Sequence, residues 1–416
     1  MNPTEVSTNQ NKIKRVIIEA IFFRLLMLCI VFCFRDYMED GFIGSSTYYD
    51  DYRYELGAEN YASNAKTLVD VPAFVQAYAE VGDWVGYKLA TPFDSTPLWY
   101  WVACIVIYIF KTKWALRILN VVISSVAILY VYRFAYMVYG EITACKTCHL
   151  LAFLPYPVIF SCFSYKDQLV MLIIFYLLSK ATQYRYTSKL KLKEIIAMAI
   201  LTLVLMLTRS GLSIILILIC VIIALIHDFT FLKHISKKAL FIIPIAIVFL
   251  VVLFARYGDS IIYKLTYYLN RHEETLTGST VSFLTINGVF DLYKFPLTYV
   301  FSGIMPIDMF SGLGSWYAVV SNLNLMMCPI SVGATIYIVR KKPDNIVFWS
   351  CFGLYAISIV TSINIFRHYY SLLPFTLIVF SEFSSKGSKE QKLISYMLSF
   401  LFMMLLLIFY GFVRGL

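Results

Sequence analysis

The chain has 416 residues, of which 60% are hydrophobic and 14% charged, and its mean hydropathy is +0.74. A soluble domain carries about 25% charged residues, and surface-to-volume scaling prevents one of this length from hiding so much apolar surface, so composition excludes a soluble fold and points to an all-α integral membrane protein. The net charge of +10 sits in short loops between apolar runs, which is topological charge bias and gives no support to nucleic acid as a partner.

Lys12, Lys14 and Arg15 precede the first apolar run, Val16–Phe34, and no small-residue cleavage pattern follows it. It reads as a retained first span with a cytoplasmic N-terminus. A polar stretch follows from Arg35 to Ser95, with eleven Asp and Glu against four Lys and Arg. Next come the runs Pro97–Phe110, Trp114–Tyr136, His149–Ser164, Gln168–Tyr184, Glu194–Leu207, Gly211–Ile226 and Ala239–Phe254. After a second polar region come Pro296–Phe310, Trp316–Val339, Ile346–Ile365, Tyr369–Phe380 and Leu393–Phe412.

Charge decides which runs cross. Basic residues cluster in four linkers: Lys180 to Lys193, Lys233 to Lys238, Arg340 to Lys342, and Lys386 to Lys392. If Pro97–Phe110 spans, all four fall outside; if it does not, all four fall in the cytoplasm, as the positive-inside rule requires. At 1.5 Å per residue that run reaches only ~21 Å, short of the ~30 Å hydrocarbon core. It is therefore expected to be an interfacial or re-entrant helix. Pro296–Phe310, broken by Gly303 and Pro306, is expected not to span either. The expectation is a single polytopic membrane domain, 1–416, with about eleven transmembrane helices. Its parts are a first span at 16–34, a first outer loop at 35–113 with an interfacial helix at 97–110, six spans in 114–254, a second outer region at 255–315 and four spans in 316–412.

The first outer loop contains "STYYDDYRYELGAENY", with Asp50 and Asp51 adjacent and Glu55 four residues beyond Asp51. Adjacent carboxylates raise each other's pKa, and a positioned carboxylate can take the proton of a weak hydroxyl nucleophile. Asp51 and Glu55 share a face if the segment is helical. Clustered acids can also hold Mg2+ or Mn2+ through oxygen. The competing reading is a solvated acidic loop.

These residues carry a resemblance. One span, a long outer loop opening with paired carboxylates, and a short helix entered through "TPLWYWVACIVIYIF" resemble the GT-C class of polytopic glycosyltransferases. "WALRILNVVISSVAILYVYRFAYMVYGE" looks like the second span of that class, with Arg117 at its outer entrance and an inner turn near Gly140. "LLAFLPYPVIFSCFSYKDQLV" resembles the span after it. The likeness covers roughly residues 20 to 180. Beyond it, only "RSG" at Arg209, "FSGIMPIDMF" and "INIFRHYYSLLPF" fit in pattern, and bacterial O-antigen and capsule polymerases share parts of this architecture.

The resemblance implies a polyprenyl-phosphate or polyprenyl-diphosphate sugar donor, a glycan or lipid acceptor, and transfer on the outer face of a bacterial cytoplasmic membrane. Asp50 or Asp51 would then be the base, with Glu55 beside them, and Asp50, Asp51 and Asp167 would be the ligands of a divalent metal. In "SYKDQ", Lys166 would meet the donor phosphate and Asp167 would be a secondary acid; equally, the pair reads as an interfacial anchor. Arg209, between two apolar runs with almost no loop, is a phosphate-ligand candidate that competes with snorkelling. Arg367 and His368 read as a lipid-phosphate clamp. Arg271, in "NRHEETL", is a candidate for acceptor contact or part of a solvated charge run. Arg24, inside the first span, must face protein or a water cavity.

"CKTCH", Cys145 to His149, matches a haem-attachment spacing but falls on the cytoplasmic side and reads as chance. No phosphate-binding P-loop or Gly-rich dinucleotide motif is present, so cytoplasmic nucleotide-sugar chemistry has no support. Two alternatives to single-sugar transfer stay open. One is a repeat-unit polymerase that relies on outer-face arginines. The other is a glycan flippase, which should show several deep charges and internal repeats.

Overall fold

A computed structural model describes residues 3–38, 50–82, 97–225, 293–300, 327–341, 343, 345–361 and 366–414. Among these residues the chain is all α-helical, with no strand. Packing sorts them into two units, residues up to 176 with 199–210, and 177–198 with 211–225, 293–300 and those from 327 on.

The first unit begins with α1, Pro3–Met38. Its inward stripe buries Ala20, Arg24, Leu28, Val31 and Phe32, while Ile18, Phe22, Leu26 and Ile30 form an exposed stripe of four-residue spacing. A helix apolar all round is one that buries both faces or meets lipid. The polar stretch after it is not a plain loop. It folds into α2, Asp50–Asn64, and α3, Val71–Gly82, which pack with α4, Pro97–Phe110. Ala58, Tyr61, Phe74, Ala77, Trp99, Tyr100 and Ala103 make their shared core. Phe74 stacks on Trp101 with centroids 3.8 Å apart and planes 3° apart. Gly57 is there because α2 meets the Tyr100 ring: a Cβ would overlap Tyr100 Oη and lie 2.8 Å from its ring carbons.

Asp70 starts α3. Its Oδ1 accepts from Ala73 N at 3.1 Å and its Oδ2 from Lys66 N at 3.0 Å, so one carboxylate caps the helix and closes the turn before it. Tyr61 Oη accepts from Asp70 N (2.9 Å) and donates to Leu68 O (3.0 Å), fixing the same turn to α2.

Lys111, at φ +56°, makes the sharp corner from α4 into α5, Lys113–Tyr139, whose first turn is capped by Thr112 Oγ1 accepting from Trp114 N. α5 is 27 residues long and, among the described residues, the one helix both long and apolar enough to cross a membrane. Leu98–Phe110, Leu212–Leu225 and Ile346–Ser358 are shorter apolar helices. Gly140, at φ +88°, ends α5 where a turn is expected and leads into α6, Glu141–Phe153. The run His149–Ser164 is not one helix. Leu154 is extended (ψ 134°), as the residue before a proline prefers, and a short α7, Pro155–Phe160, follows. Residues 161–166 form a turn into α8, Asp167–Thr187.

α8 and α9, Leu192–Thr208, each pass from one unit into the other. In the second unit Lys180 closes the turn between them, donating to Gln183 at 2.9 Å and pairing with Glu194 at 2.5 Å. α10, Ser210–Leu225, receives Arg185 on its Ile223 carbonyl at 3.3 Å. Past the undescribed residues come a single turn, α11, Phe295–Thr298, and then α12, Cys328–Lys341, and α13, Ile346–Thr361. A 3-10 turn, Phe366–Leu372, leads into α14, Leu373–Lys386, and α15, Lys389–Arg414. α12 packs on α14 and α15, with Gly333 against the rings of Phe380 and Phe383. α15 buries Ser395 and Ser399 and exposes Tyr396, Met397, Phe400 and Leu401. That arrangement is unfavourable in water and natural against acyl chains. The expected span Ala239–Phe254, most of Pro296–Phe310 and the first half of Trp316–Val339 lie outside the described residues.

Candidate functional site

The turn 161–166 is a crossroads for polar side chains from several helices of the first unit. Glu55, from the second turn of α2, is 2% exposed and reaches Arg117 in the second turn of α5, 1% exposed. The pair is bidentate: Arg117 Nε donates to Oε1 at 2.7 Å and Nη2 to Oε2 at 2.6 Å. Ser164 Oγ adds a third bond to Oε1 at 2.6 Å. The guanidinium lies 3.3 Å from the centroid of the Phe32 ring of α1. Helices α1, α2 and α5 therefore meet at one ion pair.

The same turn is pinned by its backbone. Asn120 Nδ2 donates to Phe163 O at 2.6 Å and Tyr165 O at 2.9 Å, and Trp99 Nε1 donates to Ser164 O at 3.0 Å. Three residues past Ser164, Asp167 opens α8, where a carboxylate is favoured by the helix dipole. Arg209, in the break between α9 and α10, reaches Asp167 Oδ1 at 3.3 Å. Their side chains are 18% and 8% exposed, so this second pair is close to the surface of its unit, whereas the first is sealed.

Of the residues singled out in the sequence, Glu55, Lys166, Asp167 and Arg209 are thus gathered around one turn. Asp50 and Asp51 are the first two residues of α2, the latter one helical turn before Glu55; their side chains lie outside the described residues. Arg367 and His368 lie in the 3-10 turn Phe366–Leu372, again without described side chains, and Arg271 lies wholly outside the described residues. Arg24 finds its partners inside the protein: Ser124 Oγ at 2.6 Å, Ser125 Oγ at 3.4 Å and the Leu151 carbonyl at 2.7 Å.

Sequence reasoning placed Arg117 at the outer entrance of its span without a partner, and did not find Ser164, Asn120 or Trp99. Arg117 had one usable signal, a cation near the start of a span, which demands a partner. The asparagine, serine and tryptophan had none, because Asn120 and Trp99 bond to a turn 43 to 65 residues away and Ser164, in that turn, bonds to Glu55 109 residues away.

The two described carboxylates do not fit a divalent cation well. Glu55 presents both oxygens to a guanidinium, and Asp167 faces Arg209, whose charge opposes a second cation. Among the described residues no three His, Cys, Asp or Glu side chains are grouped to hold a metal. Cys145, Cys148 and His149 lie along α6, with Cys148 buried against the Ile128 carbonyl and His149 bonded to the Cys145 carbonyl. No family model, curated protein or solved structure matches the chain.

Proposed function

We propose that the chain is a polytopic glycosyltransferase of GT-C type that takes a sugar from a polyprenyl-(di)phosphate carrier to a glycan or lipid acceptor. The reaction is placed on the outer face of a bacterial cytoplasmic membrane, in surface polysaccharide biosynthesis. About eleven spans, with the N-terminus and all four basic linkers cytoplasmic, put α2 to α4 on the outer side. The observation that carries the reading is the seating of α2. A helix that opens with two adjacent carboxylates is tied to the apolar helix α5 by a buried bidentate ion pair, so its acids hold a set height against the membrane-embedded body.

In the step proposed, the acceptor hydroxyl oxygen attacks the anomeric carbon of the donor sugar. The bond from that carbon to the phosphate oxygen breaks, and the polyprenyl (di)phosphate leaves with the electron pair. Asp50 or Asp51 takes the hydroxyl proton. Glu55 seats the helix instead of accepting the proton. Arg209, steadied by Asp167, offers positive charge for the leaving phosphate, as does Lys166, which precedes Asp167 in the chain. No step requires a metal.

The test is glycan profiling of a deletion strain complemented with wild type, Asp50→Asn, Asp51→Asn or Arg367→Ala, with protein level measured in the same membranes. Loss of a proton acceptor should lower transfer by about 10²–10⁴-fold and leave a glycan lacking one sugar. Wild-type glycan from both aspartate variants would overturn the assignment. If Arg367→Ala then left single repeat units on the lipid, the chain would be a polymerase.

A further inference from the structure

The turn between α2 and α3 exposes apolar side chains where an outer loop would be polar. Leu68 is 44% exposed, Val69 61% and Val71 56%, and Val75 on the next turn of α3 is 42%. Soluble surfaces scatter such residues singly; four within eight positions form a patch. The patch is held rigidly. Tyr61 bonds the Leu68 carbonyl and the Asp70 amide, and both Asp70 oxygens are spent on backbone donors, so the turn presents carbon outward.

Its position is also set. Lys111 Nζ reaches the Ala62 carbonyl at 3.5 Å and lies 4.1 Å from the centroid of the Tyr108 ring, which itself meets Tyr61. The turn therefore lies beside the C-terminal end of α4, where Ile109 and Phe110 are 55% and 63% exposed. Three residues past Phe110 α5 begins, the helix long enough to cross a membrane, and its Ile118 and Val122 are exposed as well. Lys66 and Lys111 are exposed at this edge.

We infer that the α2–α3 turn and the end of α4 form a lipid-contact edge that dips into the headgroup and acyl boundary of the leaflet facing away from the basic linkers. The corner at Lys111, which joins this edge to the start of the membrane-length helix α5, argues for bilayer as the occupant, and lysines beside exposed aliphatic side chains are the composition that anionic lipid interfaces retain. Such an edge holds the α2–α4 layer at a fixed depth, which is what an enzyme acting on a lipid-linked substrate requires. The inference rests on the membrane reading above but on no catalytic residue.

The experiment uses the full chain in nanodiscs of phosphatidylglycerol and phosphatidylethanolamine, carrying an encoded nitroxide amino acid at Leu68, Val69 or Phe110. Comparison sites are Ile118 on α5 and the exposed Ser63 on α2. Each site is already exposed, so the label displaces no core. Oxygen, which partitions into lipid, should relax the labels at 68, 69 and 110 more than a water-soluble nickel chelate does, as at 118, with the reverse at 63. Water-like behaviour at 68 and 69 with lipid-like behaviour at 118 would overturn the edge and leave the membrane reading standing. Water-like behaviour at 118 as well would overturn both.

Discussion

At the scale of single residues, the ion pair between Glu55 and Arg117 sets the energetics of the site. Removing one partner of a sealed pair leaves the other charged and unpaired, which costs about 3–5 kcal/mol. Glu55→Ala or Arg117→Ala should therefore lower the thermal midpoint of the detergent-solubilised protein sharply. Glu55→Leu combined with Arg117→Met should recover much of the loss, because an apolar pair leaves no stranded charge. A loss in the double variant equal to the sum of the two single losses would show that the pair does not act as a unit. The acidity of the segment was legible, and so was the helical spacing of Asp51 and Glu55. That Glu55 faces a cation 62 residues along was not, because a local pattern gives a face and not what packs against it.

Asp70 gives a pH signature. Backbone N–H donors from Lys66 and Ala73 hold its carboxyl below the usual carboxylate value. A depressed folded value contributes stability that is present above the unfolded value, ~3.9, and lost as pH falls through the folded one. Hydrogen exchange across α3 should therefore quicken as pH falls from 5 toward 3, after correction for intrinsic rates. Asp70→Ala, which removes both acceptors, should exchange faster already at pH 5 and change less with pH. An unchanged α3 in that variant would remove the capping account.

At the scale of elements, close approach decides which residues are tolerated. α2 lies against α4 through Gly57, so Gly57→Ala must displace a Tyr100 ring that is 2% exposed. Overpacking of that kind costs about 1–3 kcal/mol. Gly57→Ala should lower the midpoint, with partial recovery when Tyr100→Phe removes the nearest atom; no loss would mean that the helices can separate freely. The helix Pro97–Phe110 was legible to the residue from its apolar run and its flanks. The break at Leu154 was written in Pro155 but hidden by the apolar run around it, since hydropathy ignores backbone geometry. The folding of the acidic loop into α2 and α3 was only half visible: Gly57, Tyr61 and Asp70 each look ordinary alone and acquire their roles from partners in other elements.

At the scale of the whole molecule, the exposed apolar stripes of α1 and α15 and the length of α5 agree with a chain built for lipid, and this was plain from composition. Composition could not supply the division into two units, because it depends on where α8 and α9 change partners. Function belongs to this scale as well. The transferase proposed above would require a membrane-embedded body, a lipid-borne donor and an acid pair held at the boundary, and no single residue of the chain establishes all three.

The measurement that tests this most directly uses purified protein in proteoliposomes made from lipid extract of the producing strain, which contains its lipid-linked glycans. Mass spectrometry follows release of polyprenyl phosphate or diphosphate. Wild type should release the carrier as sugar moves to the acceptor, and the variant carrying both Asp50→Asn and Asp51→Asn should be slower by at least ~10²-fold at equal incorporation. Release by the double variant at the wild-type rate would contradict the role given to α2, and no release by wild type would contradict the transferase itself.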